Sequence, residues 1–116
     1  MPLPLPQLFL DKMRELLREE YEAFVASYDE EKAQGLRVNP LKASVQEFVR
    51  IAPFALSGVP WASEGFYYGK EDRPGKHPYH EAGLIYIQEP SAMVVGALVD
   101  PLPGETVLDL CAAPGG

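Results

Sequence analysis

The sequence has little cysteine, a shortage of positive charge and no long apolar run. One cysteine in 116 residues excludes a disulfide framework and a thiolate zinc site, and it fits a reducing compartment. The longest apolar stretch, residues 92–99, is far too short to cross a membrane. The N-terminus carries no basic segment of the kind that begins a secretory signal. We therefore expect a cytoplasmic protein without membrane contact.

The shortage of positive charge bears on nucleic acid as a partner. Ten Lys and Arg stand against 17 Asp and Glu, which gives a net charge of −7. Such a balance argues against nucleic acid, because phosphate binding normally leaves a basic footprint. The charge is uneven along the chain, however: residues 1–34 and 81–116 carry −4 and −5, whereas residues 35–80 carry +2. The acidic total therefore does not exclude RNA.

The hydrophobic pattern changes character along the first 80 residues. Apolar residues at three- and four-residue steps from Leu5 to Tyr28 predict an amphipathic helix or helix pair. Alternating residues predict a short strand at 36–39, and Ser44 is expected to cap a short helix. Residues 53–80 are rich in Gly, Pro and aromatics. They are predicted to be mainly irregular, with a strand only around Tyr67 and Tyr68.

The last third carries clearer signals. Residues 84–87 are predicted to form a strand, and Ser91 is expected to cap a helix over 92–99. After a turn, Thr106–Leu110 is a near-continuous apolar segment typical of a strand inside a parallel sheet. Such a strand needs a crossover helix to reach its neighbour, and the sequence stops before one. We therefore expect the chain to be the N-terminal piece of a longer protein.

The small residues after this segment, Cys111-Ala-Ala-Pro-Gly-Gly116, would let a ligand approach the backbone closely. Taken alone they fit a nucleotide loop, an S-adenosylmethionine loop or an ordinary tight turn. The dinucleotide fingerprint G-x-G-x-x-G and the phosphate-binding G-x-x-x-x-G-K-[ST] pattern are both absent. Asp109 is positioned either to order the loop through its backbone amides or to cap the end of the strand. His77 and His80 lack accompanying cysteines or carboxylates, so no metal site is predicted.

Four stretches resemble the Nop/Sun family of RNA cytosine-C5 methyltransferases, in the family's order. They are residues 35–42 (GLRVNPLK), 59–68 (VPWASEGFYY), 77–93 (HPYHEAGLIYIQEPSAM) and 107–116 (VLDLCAAPGG), the last resembling motif I. The similarity is greatest to the bacterial branch that acts on small-subunit ribosomal RNA. The resemblance implies an α/β protein with a small N-terminal RNA-binding-type α/β domain over residues 1–76. Residues 77–116 would be the truncated start of a Rossmann-like class I methyltransferase domain.

The same resemblance implies S-adenosyl-L-methionine as cofactor, with small-subunit ribosomal RNA and the missing C-terminal part of the same protein as partners. The expected cofactor loop comprises Cys111, Ala112, Ala113, Pro114, Gly115 and Gly116. Arg37, Asn39 and Lys42 are expected to contact RNA, and Gln88, Glu89 and Ser91 to lie near the cofactor pocket.

The family's reaction uses a thiolate that adds to C6 of cytosine, and both family cysteines follow motif I. The only cysteine in this sequence, Cys111, lies within the loop. We therefore expect a methyltransferase at the level of the family but no catalytic residue in these 116 residues. The alternatives are a non-catalytic RNA-binding or assembly module with a vestigial cofactor loop and, more weakly, a dinucleotide-dependent oxidoreductase.

Overall fold

A computed structural model describes residues 4–113, and the chain divides into two units, Met1–Lys32 and Ala33–Gly116. The α-helices are α1 (Gln7–Leu17), α2 (Tyr21–Ala26), α3 (Val45–Ile51), α4 (Pro78–Glu81) and α5 (Met93–Val99). The strands are β1 (Gly35–Val38), β2 (Leu56–Val59), β3 (Ala62–Tyr68) and β4 (Ile85–Ile87). Single 3₁₀ turns cover Arg18–Glu20, Ser27–Asp29, Pro74–Lys76 and Pro90–Ala92. The predicted α/β class is confirmed.

The first unit is the helix pair that the apolar periodicity predicts. The break between α1 and α2 falls at Arg18, whose φ of 48° interrupts the helical backbone. The rings of Phe9, Phe24 and Tyr28 pack against one another at centroid distances between 5.3 and 6.4 Å. Tilted and edge-on ring packing of this kind stabilises beyond simple burial. The two short helices are therefore joined mainly by an aromatic cluster.

The second unit is built on a four-stranded antiparallel sheet with strand order β2-β3-β1-β4. Leu36 in the central strand β1 lies opposite Phe66 of β3 and Ile87 of β4. Leu36 and Phe48 are fully buried in a core beneath this face. The predicted cap of α3 is confirmed: the Ser44 hydroxyl accepts a hydrogen bond from the Glu47 N–H as part of a capping box.

The other face of the sheet receives the first residue of α5. Met93 is fully buried there, beside the buried residues Val59 and Ala62. Two glycines leave room for its side chain. A Cβ at Gly65 would lie 2.6 Å from the Met93 sulfur, and one at Gly35 would lie 3.0 Å from its terminal methyl carbon. Both glycines are therefore needed for close packing against Met93.

The prediction that residues 53–80 are mainly irregular is wrong. They contain the β2–β3 hairpin and α4, and the strand predicted around Tyr67 and Tyr68 is the end of a longer β3. The two hairpin strands are joined by a turn at Pro60 and Trp61. The buried face of β3 is carried by small residues such as Ala62 and Gly65, and these do not produce a visible hydrophobic alternation.

Two predictions in the last third are also corrected. Ser91 does not cap a helix, because it lies inside a 3₁₀ turn and α5 begins at Met93 without a side-chain cap. Thr106–Leu110 is not a strand; Val107, Leu108 and Leu110 are all exposed. A strand requires a neighbouring backbone for its hydrogen bonds, and within residues 4–113 no segment pairs with this one.

The expected domain boundary between residues 76 and 77 stays a prediction. β4, from the later part of the chain, is hydrogen-bonded to β1 from the earlier part.

Between residues 4 and 113, no helix is long and apolar enough to cross a bilayer.

Candidate functional site

An open groove of about 790 Å³ runs along β1 and β4, and we call it the β1 groove. Residues from five places in the chain line it, among them Arg37, Asn39, Glu64, His80, Tyr86 and Gln88. The antiparallel pairing explains how they meet, because Arg37 lies directly opposite Tyr86 in the β1–β4 ladder. Two of the three residues predicted to contact RNA, Arg37 and Asn39, therefore lie in one groove with eight residues not predicted for that role.

Arg37 is engaged on two sides. Its guanidinium forms an ion pair with Glu64, and a Cβ at Gly96 of α5 would lie only 3.0 Å from its Nη1. The hydrogen bond from Arg37 holds the pKa of Glu64 below its ordinary value of 4.5, against the opposing effect of burial. The positive charge that Arg37 presents to the groove is therefore neutralised by Glu64.

Asn39 and Lys42 hold the turn that follows α4. The Asn39 side-chain amide donates to the Gly83 carbonyl at 3.0 Å, and its Oδ1 accepts from the Leu41 N–H at 3.1 Å. The Lys42 ammonium donates to the Ala82 carbonyl. These bonds satisfy carbonyls near the end of a helix, which have no partner within the helix itself. Contact of either residue with RNA stays a prediction.

Three groove residues carry polar or aromatic groups that could contact a ligand. His80 Nδ1 and Gln88 Oε1 are buried without a hydrogen-bond partner in the described part of the chain. Tyr86 is 47% exposed, between the inward-facing Ile85 and Ile87 of β4. The alternation of residues 85–87 already indicates that Tyr86 faces away from the core. His80 and Gln88 lie in the stretch 77–93 that the resemblance marks, but nothing in the sequence indicates that they line this groove. The expected position of Gln88 near a cofactor pocket stays a prediction.

His77, for which the sequence predicts no metal-binding role, is held by local contacts. The His77 Nδ1 accepts a hydrogen bond from the Tyr79 N–H at 3.2 Å, and its ring packs edge-on against Phe54. Over residues 4–113 no group of His, Cys, Asp or Glu is arranged to hold a metal ion.

The predicted cofactor loop is described in part. The Asp109 carboxylate accepts a hydrogen bond from the Cys111 N–H at 2.8 Å, as expected for a residue that orders this turn. Cys111, Ala112 and Ala113 are exposed. Pro114, Gly115 and Gly116 lie outside the described residues. Cofactor binding by this loop stays a prediction.

Residues 5–90 match a family model described as the N-terminal domain of 16S rRNA methyltransferase RsmF. The chain belongs to this family, and the resemblance found in the sequence is confirmed.

Named relatives and a solved structure agree with this assignment. The chain is 38% identical over 122 residues to Ribosomal RNA small subunit methyltransferase F from Erwinia tasmaniensis, covering 95% of this chain and 25% of that protein. For the Psychromonas ingrahamii protein of the same name, the identity is 39% over 123 residues, covering 96% and 26%. A crystal structure of a methyltransferase homolog from Pyrococcus horikoshii superposes with a TM-score of 0.76 at 38% identity, covering 97% of this chain and 38% of the other. The chain spans about a quarter of the length of these curated relatives.

Proposed function

We propose that this chain is the N-terminal part of a cytoplasmic, S-adenosylmethionine-dependent methyltransferase that modifies cytosine C5 in small-subunit ribosomal RNA. The observation that carries the proposal is the family match over residues 5–90. Relatives named for methylation of small-subunit ribosomal RNA align with nearly the whole chain.

Within that enzyme, this chain would bind and position RNA and would not carry out bond making. Cys111 is the only cysteine in the sequence, and it lies in the predicted cofactor loop, not after it. The resemblance implies that the thiolate nucleophile comes from a cysteine that follows motif I. The exposed small residues at 111–113 and the backbone order imposed by Asp109 support a loop that a ligand approaches closely. Residues 111–116 would hold the cofactor, which supplies the methyl group.

The test is a chimera in which this chain replaces the matching quarter of the Erwinia tasmaniensis relative. We expect the chimera to transfer the methyl group of S-adenosylmethionine to small-subunit ribosomal RNA. Mass spectrometry of the digested RNA should identify 5-methylcytidine. The 116-residue chain alone should give no methylated product, and the unmodified relative serves as the positive control.

The outcomes separate this proposal from its rivals. A folded chimera that binds S-adenosylmethionine but leaves the RNA unmodified would favour a non-catalytic RNA-binding or assembly module. Binding of NAD in place of S-adenosylmethionine, measured by titration calorimetry, would favour the oxidoreductase. Methylation at a different atom would keep the methyltransferase and reject cytosine C5.

A further inference from the structure

We propose that the β1 groove receives a single unpaired nucleobase, which stacks on Tyr86 and hydrogen-bonds to the Gln88 side-chain amide. The inference rests on the proposed RNA function and adds to it the kind of RNA contact and the residues that make it. It assigns the groove to a base and not to the phosphate backbone.

The charges near the groove argue against a phosphate site. Arg37 is paired with Glu64, and the Lys42 ammonium is bound to the Ala82 carbonyl. A phosphate could bind Arg37 only by displacing the Glu64 carboxylate. Such an exchange replaces one charge-assisted hydrogen bond with another and therefore adds little affinity. The groove therefore lacks the surplus of positive charge on which backbone binding depends.

The remaining groups suit a base. Tyr86 offers a half-exposed aromatic ring on which a base can stack without regard to its identity. The amide of Gln88 carries both donors and an acceptor, which is what the Watson–Crick edge of an unpaired base requires. Its Oε1, like His80 Nδ1, is buried and has no hydrogen-bond partner within residues 4–113. A buried acceptor without a partner is unfavourable, so a base amino group that turns the amide toward the groove would relieve that cost.

The groove is large enough to admit this occupant. Its volume of about 790 Å³ falls within the range of sites that hold drug-sized ligands. Val38 and Pro40 give it apolar wall alongside the polar groups. A paired base could not enter, because its edge is already bonded and its faces are stacked within the duplex.

The experiment measures binding of the 116-residue chain to a fluorescein-labelled RNA octamer by fluorescence polarisation. The octamer is used as a single strand and annealed to its complement. We expect the single strand to bind more tightly than the duplex. Tyr86→Ala should weaken single-strand binding about tenfold, the scale of one lost base–aromatic stack, while Tyr86→Phe should bind like the original chain. Gln88→Ala should weaken binding about fivefold, the scale of one lost hydrogen bond.

The matched control is Tyr28→Ala. Tyr28 is also 47% exposed, but it does not line the β1 groove, so its substitution should leave base binding in the groove unchanged. The salt dependence gives a second readout. Tyr86→Ala should lower the affinity by the same factor at all salt concentrations. The salt dependence comes from counterions that phosphate contacts release, and a base contact releases none. Circular dichroism checks that each variant keeps its fold.

The outcomes distinguish this inference from the proposed function. If the original chain binds RNA, and Tyr86→Ala and Gln88→Ala bind it equally well, the inference is overturned and the proposed function stands. Equal affinity for single strand and duplex, or displacement of the RNA by free S-adenosylmethionine, would also overturn the inference alone. If the original chain binds neither RNA, the RNA-binding role proposed for this chain and the inference fail together.

Discussion

The sheet segment of the second unit, residues 35–93, and the segment that follows it, residues 94–113, are both rich in apolar residues but differ in how those residues are covered. Leu36 and Val38 of β1 are both buried. Leu108 and Leu110, in the later segment, are 81% and 87% exposed. The difference lies in backbone pairing, because β1 has a strand on each side and the later segment has none within the described residues. Apolar sequence therefore yields a buried strand only where a partner backbone is present.

The sharpest test of this contrast compares one large side chain from each segment. Phe48→Ala should lower the free energy of unfolding by about 3–5 kcal/mol, because it leaves a cavity in a core that cannot close completely. Leu108→Ala should change it by less than about 0.5 kcal/mol, as for other exposed positions. Urea unfolding followed by circular dichroism measures both. A large loss with Leu108→Ala would show that the later segment is packed in solution.

A second comparison uses two glycines of the β2–β3 hairpin. Gly65→Ala should destabilise the fold by about 1–3 kcal/mol, because the added methyl group would overlap the buried Met93 sulfur. Gly58→Ala is the control, since a Cβ there meets nothing within 4 Å. Thermal unfolding of the two variants checks the prediction. Equal melting temperatures would mean that Met93 of α5 does not pack against Gly65 of the sheet.

The same contrast explains which elements could be predicted from the sequence. β1 and α3 carry complete local signals, namely an alternating pattern ended by a proline and a serine cap with a glutamate three residues later. The β2–β3 hairpin does not, because its buried positions include glycine and alanine and its turn is Pro60-Trp61. The Thr106–Leu110 segment has a strong strand pattern but no partner. Whether a strand forms there depends on residues distant in sequence.

The candidate site was predictable only where a motif marked it. The segment from Arg37 to Lys42 stood out by resemblance, and two of its three predicted residues line the groove. Glu64, His80 and Gln88 also lie in stretches that resemble the family, but they come from separate elements, and the strand pairing that brings them beside Arg37 is not visible in the sequence. The pairing of Arg37 with Glu64 also changes the expected chemistry of the arginine, and one-dimensional spacing does not reveal such a pair.

A third prediction tests the two serine caps expected from the sequence. Ser44→Ala should reduce stability by about 1 kcal/mol, because the Glu47 N–H loses its acceptor at the start of α3. Ser91→Ala should have almost no effect, since the Ser91 side chain makes no capping hydrogen bond in the structure. Chemical denaturation of the two variants measures the difference. A loss of similar size for both would restore Ser91 as a cap.

The smallest expected effect concerns pH and the groove itself. Folding lowers the pKa of Glu64. At a pH near the ordinary pKa of this carboxyl group, the unfolded chain therefore binds more protons than the folded chain. The stability from the Arg37–Glu64 pair is then complete above pH 4.5 and disappears as the pH falls through the lower folded pKa. Glu64→Gln should cost about 1 kcal/mol or less at pH 7, the usual size for a partly exposed pair.

The pH series and a partner variant give this last prediction its control. The difference between the original chain and Glu64→Gln should shrink toward zero in urea unfolding carried out below the folded pKa. Arg37→Gln removes the donor that lowers the pKa, so adding Glu64→Gln to it should cause little further loss at pH 7. If the cost of Glu64→Gln is the same in acid as at neutrality, the carboxylate charge does not stabilise this part of the sheet. The Arg37–Glu64 pair would then add no net electrostatic stability, and the assignment of the β1 groove to a base would lose its electrostatic argument.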